Sequence, residues 1–510
     1  MKKVAMLILI FSTVLGLTGC DFTDYMNLIE SRSGDIERLL PRIINSNFTL
    51  PIFEDVEVIY ELNGHSFTNE FIYESPFYDQ DTELKYSITK NSRVYDFSTD
   101  IHLLADDSGY NHYKIYLNLP VSVTQVTKDT YMQASVTAVR DKNGVGVTEL
   151  VTDAAQIRGR GNSTWFSYPK KPFRLRFDNN TSLFGMPEAK DYVLLAEYAD
   201  KSLMRNTIVQ KFSSLTDNLS YTLETRFVEL YINTVYMGLY VLAEQVEFQK
   251  NKLDVESIPG LLDTGYLIEL DMRFYDQFIT PGFDWIVVND IPYEIKEPKT
   301  DDPLYTSLQA DFMFEYMTAV ENALIAQVGY EELLDVDGWI DFFIIHELTK
   351  NVDVGFSSVF YYKEAGGPLR PGPLWDFDFA IGNADYIDYG PENFYGMKDY
   401  KNRLFKLMID VPEIRLTFRD RFSDIYFDVL PEIYDMIPVL SESISSLADR
   451  NFAMWDIMDI YIYIWPNPAE VMAENTFLGQ VSYLESYLHL RSDWMYETML
   501  ENAYLNGVFE

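Results

Sequence analysis

Cysteine is nearly absent: the 510 residues contain one, Cys20. A disulfide within the chain is therefore impossible, and a Cys/His zinc site has too few ligands. The five histidines, at 65, 102, 112, 346 and 489, are scattered and have no nucleophile-elbow sequence near them, so a Ser-His-Asp triad has little to draw on. Cations are outnumbered, 40 Lys and Arg against 79 Asp and Glu, for a net charge of −39. That balance argues against a nucleic-acid binder, which needs surplus cations to displace counterions from phosphate. It suits a chain that meets basic substrates or divalent cations. The catalytic vocabulary left is carboxylates, Lys, Arg and a hard metal ion. Hydrophobic content of 47% supplies material for cores, and the length predicts two or three domains.

Long apolar runs are missing too, except at the start. Lys2 and Lys3 precede an apolar run from Val4 to Leu17, followed by Thr18, Gly19 and Cys20. This segment, 1–20, resembles a bacterial lipoprotein signal peptide ending in a lipobox. The resemblance implies cleavage before Cys20, lipidation of that residue, and a mature protein anchored by acyl chains outside the cytoplasm. The membrane is then a partner through the anchor alone.

Residues 21–47 read as a linker with one amphipathic helix, around Asp35 to Asn45. From Phe48 the hydrophobic period becomes two, in short runs separated by turn residues. Residues 48–120 are expected to form a small Ig-like β-sandwich serving as spacer or binding module.

The most distinctive sequence follows. IRGRGNSTW (157–165) and KKPFRLRF (170–177) place Arg158, Arg160, Lys170, Lys171, Arg174 and Arg176 within nineteen residues. Alternation puts Arg174 and Arg176 on one side of a strand and Phe173, Leu175 and Phe177 on the other. Such a cluster fits a polyanion such as a nucleotide phosphate, or it pairs with the surrounding acids. Next come a strand at Tyr192–Leu195, a helix capped near Asp200 or Ser202, and a hairpin turning at Asn233-Thr234 whose second strand ends at Glu244. Strands are expected at 267–271 and 292–298. Lys296, between Glu294 and Glu297, could reach phosphate, although pairing with a neighbouring acid is the preferred reading. Helices are expected at about 303–327 and 336–349, and the remainder, from Tyr400, reads as mostly helical.

The stretch Leu348 to Asn383 carries the candidate chemistry. Asp353 follows the 336–349 helix; a strand-like run and a Gly/Pro turn then lead to Asp376 and Asp378. Two carboxylate stations joined by a hairpin can place a proton acceptor and a metal ligand on one cleft wall, an arrangement that kinase-like phosphotransferases use. Asp376-Phe377-Asp378 is also a DxD pattern, and it could equally be a pair of ordinary turn acids.

Taken in order, IRGRGNSTW, KKPFRLRF, YVLLAEYADKSLMRN, FVELYINTVYMGLYVLAEQVE and LWDFDFAIGN resemble the CotH family, the spore-coat-protein-H type of atypical kinase. The resemblance implies an α+β, divergent protein-kinase-like two-lobed domain over 121–510, with an N-lobe to about 252 and a helical C-terminal lobe beyond. It implies an enzyme that moves phosphate from ATP to protein Ser/Thr with Mg or Mn. Asp353 would orient or deprotonate the acceptor hydroxyl, and Asp376 would hold metal. Arg158, Arg160, Lys171, Arg174 and Arg176 would face the phosphates, and the strand ending at Glu244 would lie near the adenine. One departure stands out: Ser358 occupies the position of an Asn that helps hold metal. The site would then bind metal less tightly, lean on Asp378, or be degenerate, which leaves a pseudokinase or surface adhesion protein as the alternative.

Overall fold

The computed structural model describes residues 19–40, 43–44, 48–62, 65–71, 80–103, 112–142, 145–250, 252–277, 279–397, 401–460 and 466–501. Two compact units divide the chain after Asp107. Of the expected leader, residues 1–20, residues 1–18 lie outside the described residues. Cys20 lies within the first helix, Gly19–Leu39.

The first unit combines that helix with a five-stranded sheet, ordered Ile43–Ile44, Arg93–Leu103, Gln80–Lys90, Glu57–Leu62, His65–Phe67, and a small pair, Phe48–Thr49 with Glu70–Phe71. Alternation along Glu57–Leu62 buries Val58, Tyr60 and Leu62. Ile29, Ile36 and Leu40 pack in the same core, and Ser33 Oγ meets Tyr86 Oη at 2.7 Å. The expected sandwich is thus a helix on a sheet. Residues read as linker form the covering layer, because one apolar helix stripe buries the sheet face that a second sheet would have covered.

The second unit opens with a closed seven-stranded barrel. Around it run Val145–Gly159, Phe173–Thr181, Ala189–Leu195, Val235–Glu244, Thr225–Ile232, His112–Asn118 and Met132–Lys142. His112–Asn118, expected to close the preceding module, instead pairs parallel with Thr225–Ile232 and antiparallel with Met132–Lys142. Its buried Tyr113, Ile115 and Leu117 belong to the barrel core, so the first unit ends before 120. Phe173, Leu175 and Phe177 point into that core and leave Arg174 and Arg176 outside, as the alternation dictates. Asn233 and Thr234 take positive φ (48° and 68°), as a two-residue hairpin requires.

After the barrel comes an antiparallel sheet ordered Trp285–Val288, Ile291–Glu297, Tyr266–Leu270, Val359–Lys363, Leu369–Pro371. The main helices are Arg205–Leu215, Ser307–Ala326, Val336–Thr349, Arg403–Asp410, Pro412–Asp424, Leu430–Met454 and Phe477–Glu501. Val336–Thr349 is apolar on nearly every face and buried from Gly338 to Thr349, so it forms the centre of the largest core.

The Leu430–Met454 helix is tied to the barrel by polar contacts. Buried Asn451 accepts from Leu239 N (3.0 Å) and Lys170 Nζ (2.9 Å) through Oδ1. Lys170, one of the six clustered cations, is therefore committed to structure. Asn451→Ala leaves an amide and an ammonium buried without that acceptor, and is expected to destabilise the protein by about 2–4 kcal/mol. Thermal unfolding beside the exposed-site control Glu442→Ala checks this; equal melting temperatures would contradict it.

Candidate active site

Four chain segments carry the candidate residues of one cleft of about 910 Å³, which the second sheet and residues 386–401 also line. The first is the turn after the Val336–Thr349 helix. Lys350 ends that helix in the left-handed region (φ 46°). Asn351 Oδ1 then accepts from Asp353 N at 2.9 Å. Asn402 Nδ2 donates to Val354 O (2.8 Å) and Tyr395 Oη to Val352 O (3.2 Å), so the turn that presents Asp353 is held from both sides. A Cβ on Gly355 would lie 2.1 Å from Lys401 O, so only glycine allows that approach.

The second segment runs from Ser358 through the Val359–Lys363 and Leu369–Pro371 hairpin to Asp376. Asp376 has φ 67°, an uncommon value for a residue with a side chain. Two contacts hold it: Ser358 Oγ donates to Asp376 Oδ2 (3.0 Å), and Phe377 N donates to Asn206 Oδ1 (2.8 Å). Phe377 points inward, its ring 5.0 Å from that of His346 on the central helix.

The third segment is the turn at 196–206. The Arg205–Leu215 helix has Met204 at its N-cap, not the expected Asp200 or Ser202; Asp200 instead accepts from Ser202 N (2.9 Å) and from Arg205 N (2.8 Å), the first amide of the helix. Arg205 pairs with Asp200 and reaches Ala380 O (2.9 Å) and Ile381 O (3.2 Å). Asn383 Nδ2 joins Ala199 O (3.1 Å) to Asp378 O (2.6 Å). The 196–206 turn is thereby fastened to the 376–383 turn. It carries Glu197, whose Oε1 accepts from Asn206 Nδ2 at 3.0 Å.

The fourth segment comes from the barrel. Gly161 turns the GRG loop with φ 78°, and Gly159 lies under the Trp165 ring, where a Cβ would come within 2.5 Å. The glycines thus serve the loop's shape, and the loop presents Arg160, whose guanidinium lies 5.2 Å from the Trp375 ring centre.

The cleft lining includes Arg158, Arg160, Arg174, Lys296, Asp353, Ser358, Asp376 and Asp378 from the sequence reading. Most of the cations are already engaged. Arg174 Nε binds Asp191 (2.9 Å), Arg158 Nη1 donates to Lys128 O (3.4 Å), and Lys296 pairs with Glu294 (2.9 Å) and Glu269 (3.3 Å). Lys171, Arg176 and Glu244 are not among the lining residues. Lys171 Nζ donates to Trp165 O, Arg176 shares Asp191 (2.9 Å), and Glu244 is buried against Lys252 (3.2 Å). Gln245 and Val246, just past Glu244, do line the cleft. Sequence reasoning missed Glu197, Asn206, Asp271 and Arg273. The only signal for the first two was their place in AEYADKSLMRN, which reads as strand end and helix cap.

The carboxylates strain against one another. Burial, then the charge of Asp376, pushes Asp353 up to about 7. Burial, then Asp376 and Glu197, pushes Asp378 well above the usual range. Burial, then Asp200, pushes Glu197 up to about 8. Among the described residues, no three His, Cys, Asp or Glu side chains converge as a ready-made metal site. A carboxylate with a raised folded pKa contributes stability below its unfolded pKa and loses it as pH rises through the folded value. In chelator, Asp353→Asn should therefore gain about 1–3 kcal/mol on the native chain between pH 5 and pH 8. Melting temperatures of both proteins at the two pH values test this; a difference independent of pH would contradict it.

No curated protein matches the chain. The model of the family described as CotH kinase protein matches residues 157–495, which begin at the GRG loop and take in all four cleft segments. That match covers more than half of the sequence, and the chain belongs to the CotH kinase protein family.

Proposed function

We propose that the protein is an atypical protein kinase that transfers phosphate from ATP to Ser/Thr of a protein substrate, using Mg or Mn. The carrying observation is the meeting of Asp353, Asp376 and Arg160 in one cleft, with Gln245 and Val246, just past the barrel strand Val235–Glu244, in its lining. In this reading the barrel is the N-lobe and the second sheet with its helices is the C-lobe. The chain's −39 charge favours a basic, Ser/Thr-containing substrate and speaks against nucleic acid.

The donor set fits a hard cation. Mg²⁺ takes one or two protein carboxylates and fills its remaining positions with phosphate oxygens and water, so a three-carboxylate cage is not required. Asp376 would hold it, with Asp378 near and Ser358 Oγ against Asp376 Oδ2. When bound, the metal neutralises charge on the phosphates. Asp353 orients the acceptor hydroxyl and takes its proton, for which a carboxylate raised toward neutrality is suited. Arg160 faces Asp376 and Asp378 electrostatically, and no ion pair of its guanidinium forms among the described residues. It is the cation we assign to the phosphates, ahead of Arg174 and Arg158, which are tied elsewhere. Gln245 and Val246 would meet the base through their backbone.

Ser358 favours a second reading. It stands where an amide is expected, and its hydroxyl is spent on Asp376. A pseudokinase or adhesion protein would keep the cleft and lose the chemistry. We also propose that Cys20 carries a lipid anchor holding the protein outside the cytoplasm. Among the described residues no helix is long and apolar enough to cross a membrane.

Phosphate transfer from labelled ATP to a basic Ser/Thr peptide, with Mg or Mn, separates the readings. The native chain is expected to label the peptide, Asp353→Ala to lose about 10²–10⁴-fold in rate, and Asp376→Ala to give no label. No label from the native chain under either metal sinks the kinase reading.

A further inference from the structure

A second cavity, of about 540 Å³, shares Ile387 with the cleft. The chain there serves both: Tyr386 and Ile387 line the cleft, and Ile387 to Pro391 line the cavity. Another wall comes from the Phe477–Glu501 helix, where Tyr483, Tyr487 and Leu490 follow at helical spacing and share one face. Tyr483 Oη donates to Gly382 O (2.9 Å) and Tyr487 Oη to Gly390 O (3.3 Å), so both phenol tips are spent on backbone and the cavity meets ring surface. Gly382 belongs to the 376–383 turn, so the cavity and the turn that carries Asp376 rest on the same helix. Asp388 and Glu470 also line the cavity, and no Lys, Arg or His stands among the described lining residues. Both acids are exposed. Glu470 Oε2 accepts from Tyr389 Oη at 3.1 Å. Asp388 Oδ2 lies 3.7 Å from Lys350 Nζ, which spends its protons on the carbonyls of Asp388, Gly390 and Glu392. With Arg491 on Pro391 O, these bonds hold the 388–391 wall through its backbone.

Aromatic walls beside two carboxylates select an organic cation. Ring faces attract positive charge through their quadrupole, and carboxylates add charge and hydrogen-bond acceptors. An anion would be repelled, and a purely apolar group would leave the acids without a counter-charge. A bare divalent ion needs converging oxygens, and no three His, Cys, Asp or Glu side chains converge among the described residues. A guanidinium or ammonium on an apolar stem matches the whole lining, with the stem on the rings and Leu490 and the head on the acids. We propose that this cavity is a docking pocket for an Arg or Lys side chain of the protein substrate, placed a short way along the chain from the Ser/Thr in the cleft. The inference rests on the kinase reading above and adds a specificity pocket to it. Because the wall is shared at Ile387, the docked side chain sets the register in which the acceptor hydroxyl reaches Asp353. Such a contact is the same in ground and transition states, so it acts on KM rather than on kcat.

The test is fluorescence anisotropy of a labelled Ser peptide on the full chain, with Mg and a non-hydrolysable ATP analogue. Two peptides are compared: one carries Arg on both sides of the Ser, and the other carries citrulline there, which is neutral and nearly isosteric. The native chain should bind the Arg peptide at least about tenfold more tightly. Glu470→Lys, which puts a tethered cation at the pocket, should cut that preference to about twofold or less. Glu442→Lys makes the same charge change at an exposed site outside the lining and should keep the preference. In turnover, Glu470→Lys should raise KM for the Arg peptide by about tenfold and leave kcat within about twofold. A native chain that does not distinguish the peptides, a preference that survives Glu470→Lys, or an equal loss in Glu442→Lys overturns the pocket and leaves the kinase reading standing. Phosphate label on neither peptide sinks the kinase reading, and with it the substrate role of the pocket, whatever the anisotropy shows.

Discussion

One guanidinium joins the turns on which the inner wall of the cleft is built. Arg205 is fully buried, paired with Asp200 and bonded to the carbonyls of Ala380 and Ile381. Asp200 in turn accepts from the first amide of the helix that Arg205 begins. The group thus sets three things together: where the Arg205–Leu215 helix starts, where Glu197 stands, and where the chain goes after Asp378. Removing either partner would leave a charge buried without compensation, and such losses are among the most damaging single changes a fold meets. The carboxylates of the cleft repel one another, so their carrying turns must be held by something stronger than packing.

The same device recurs on the outer side of the site. Lys350 Nζ donates to Asp388 O (2.9 Å) and Gly390 O (2.7 Å) and also reaches Glu392 O. Arg491 donates to Pro391 O (2.9 Å) and Asn393 O (2.7 Å) and pairs with Glu347. Glu347 Oε2 takes Gly396 N (2.7 Å), and its other oxygen takes Tyr395 N. The segment that brings Tyr386, Ile387 and Tyr395 to the cleft is therefore pinned through its own backbone by buried charges. Two of the chain's buried cations are thus spent on the backbone of this segment.

This explains which parts were legible in the sequence. The Val336–Thr349 helix and the turn at Asn233-Thr234 stand where periodicity and turn chemistry put them, because local rules decide both. Asp353, Asp376 and Asp378 were found through ordered motifs, and they do share a cleft. The fate of each cation was not legible. Alternation gave Arg174 and Arg176 one face, but only the fold shows that Asp191, on the neighbouring strand, takes both. Glu197 carries no signal in the sequence, because what ties it to the cleft is Asn206, nine residues on, which in turn takes the amide of Phe377, 180 residues on. His112–Asn118 read as part of the first module because a strand's pattern does not name its partners, and here both lie beyond the expected module, one of them more than a hundred residues on.

A cleft whose carboxylates repel one another should accept a triphosphate only in company with a cation. Calorimetric titration of a non-hydrolysable ATP analogue, in chelator and then with Mg or Mn, tests this most directly. The account predicts saturable binding with either metal and none that can be measured in chelator. Equal binding in both conditions, or no binding in either, would contradict it.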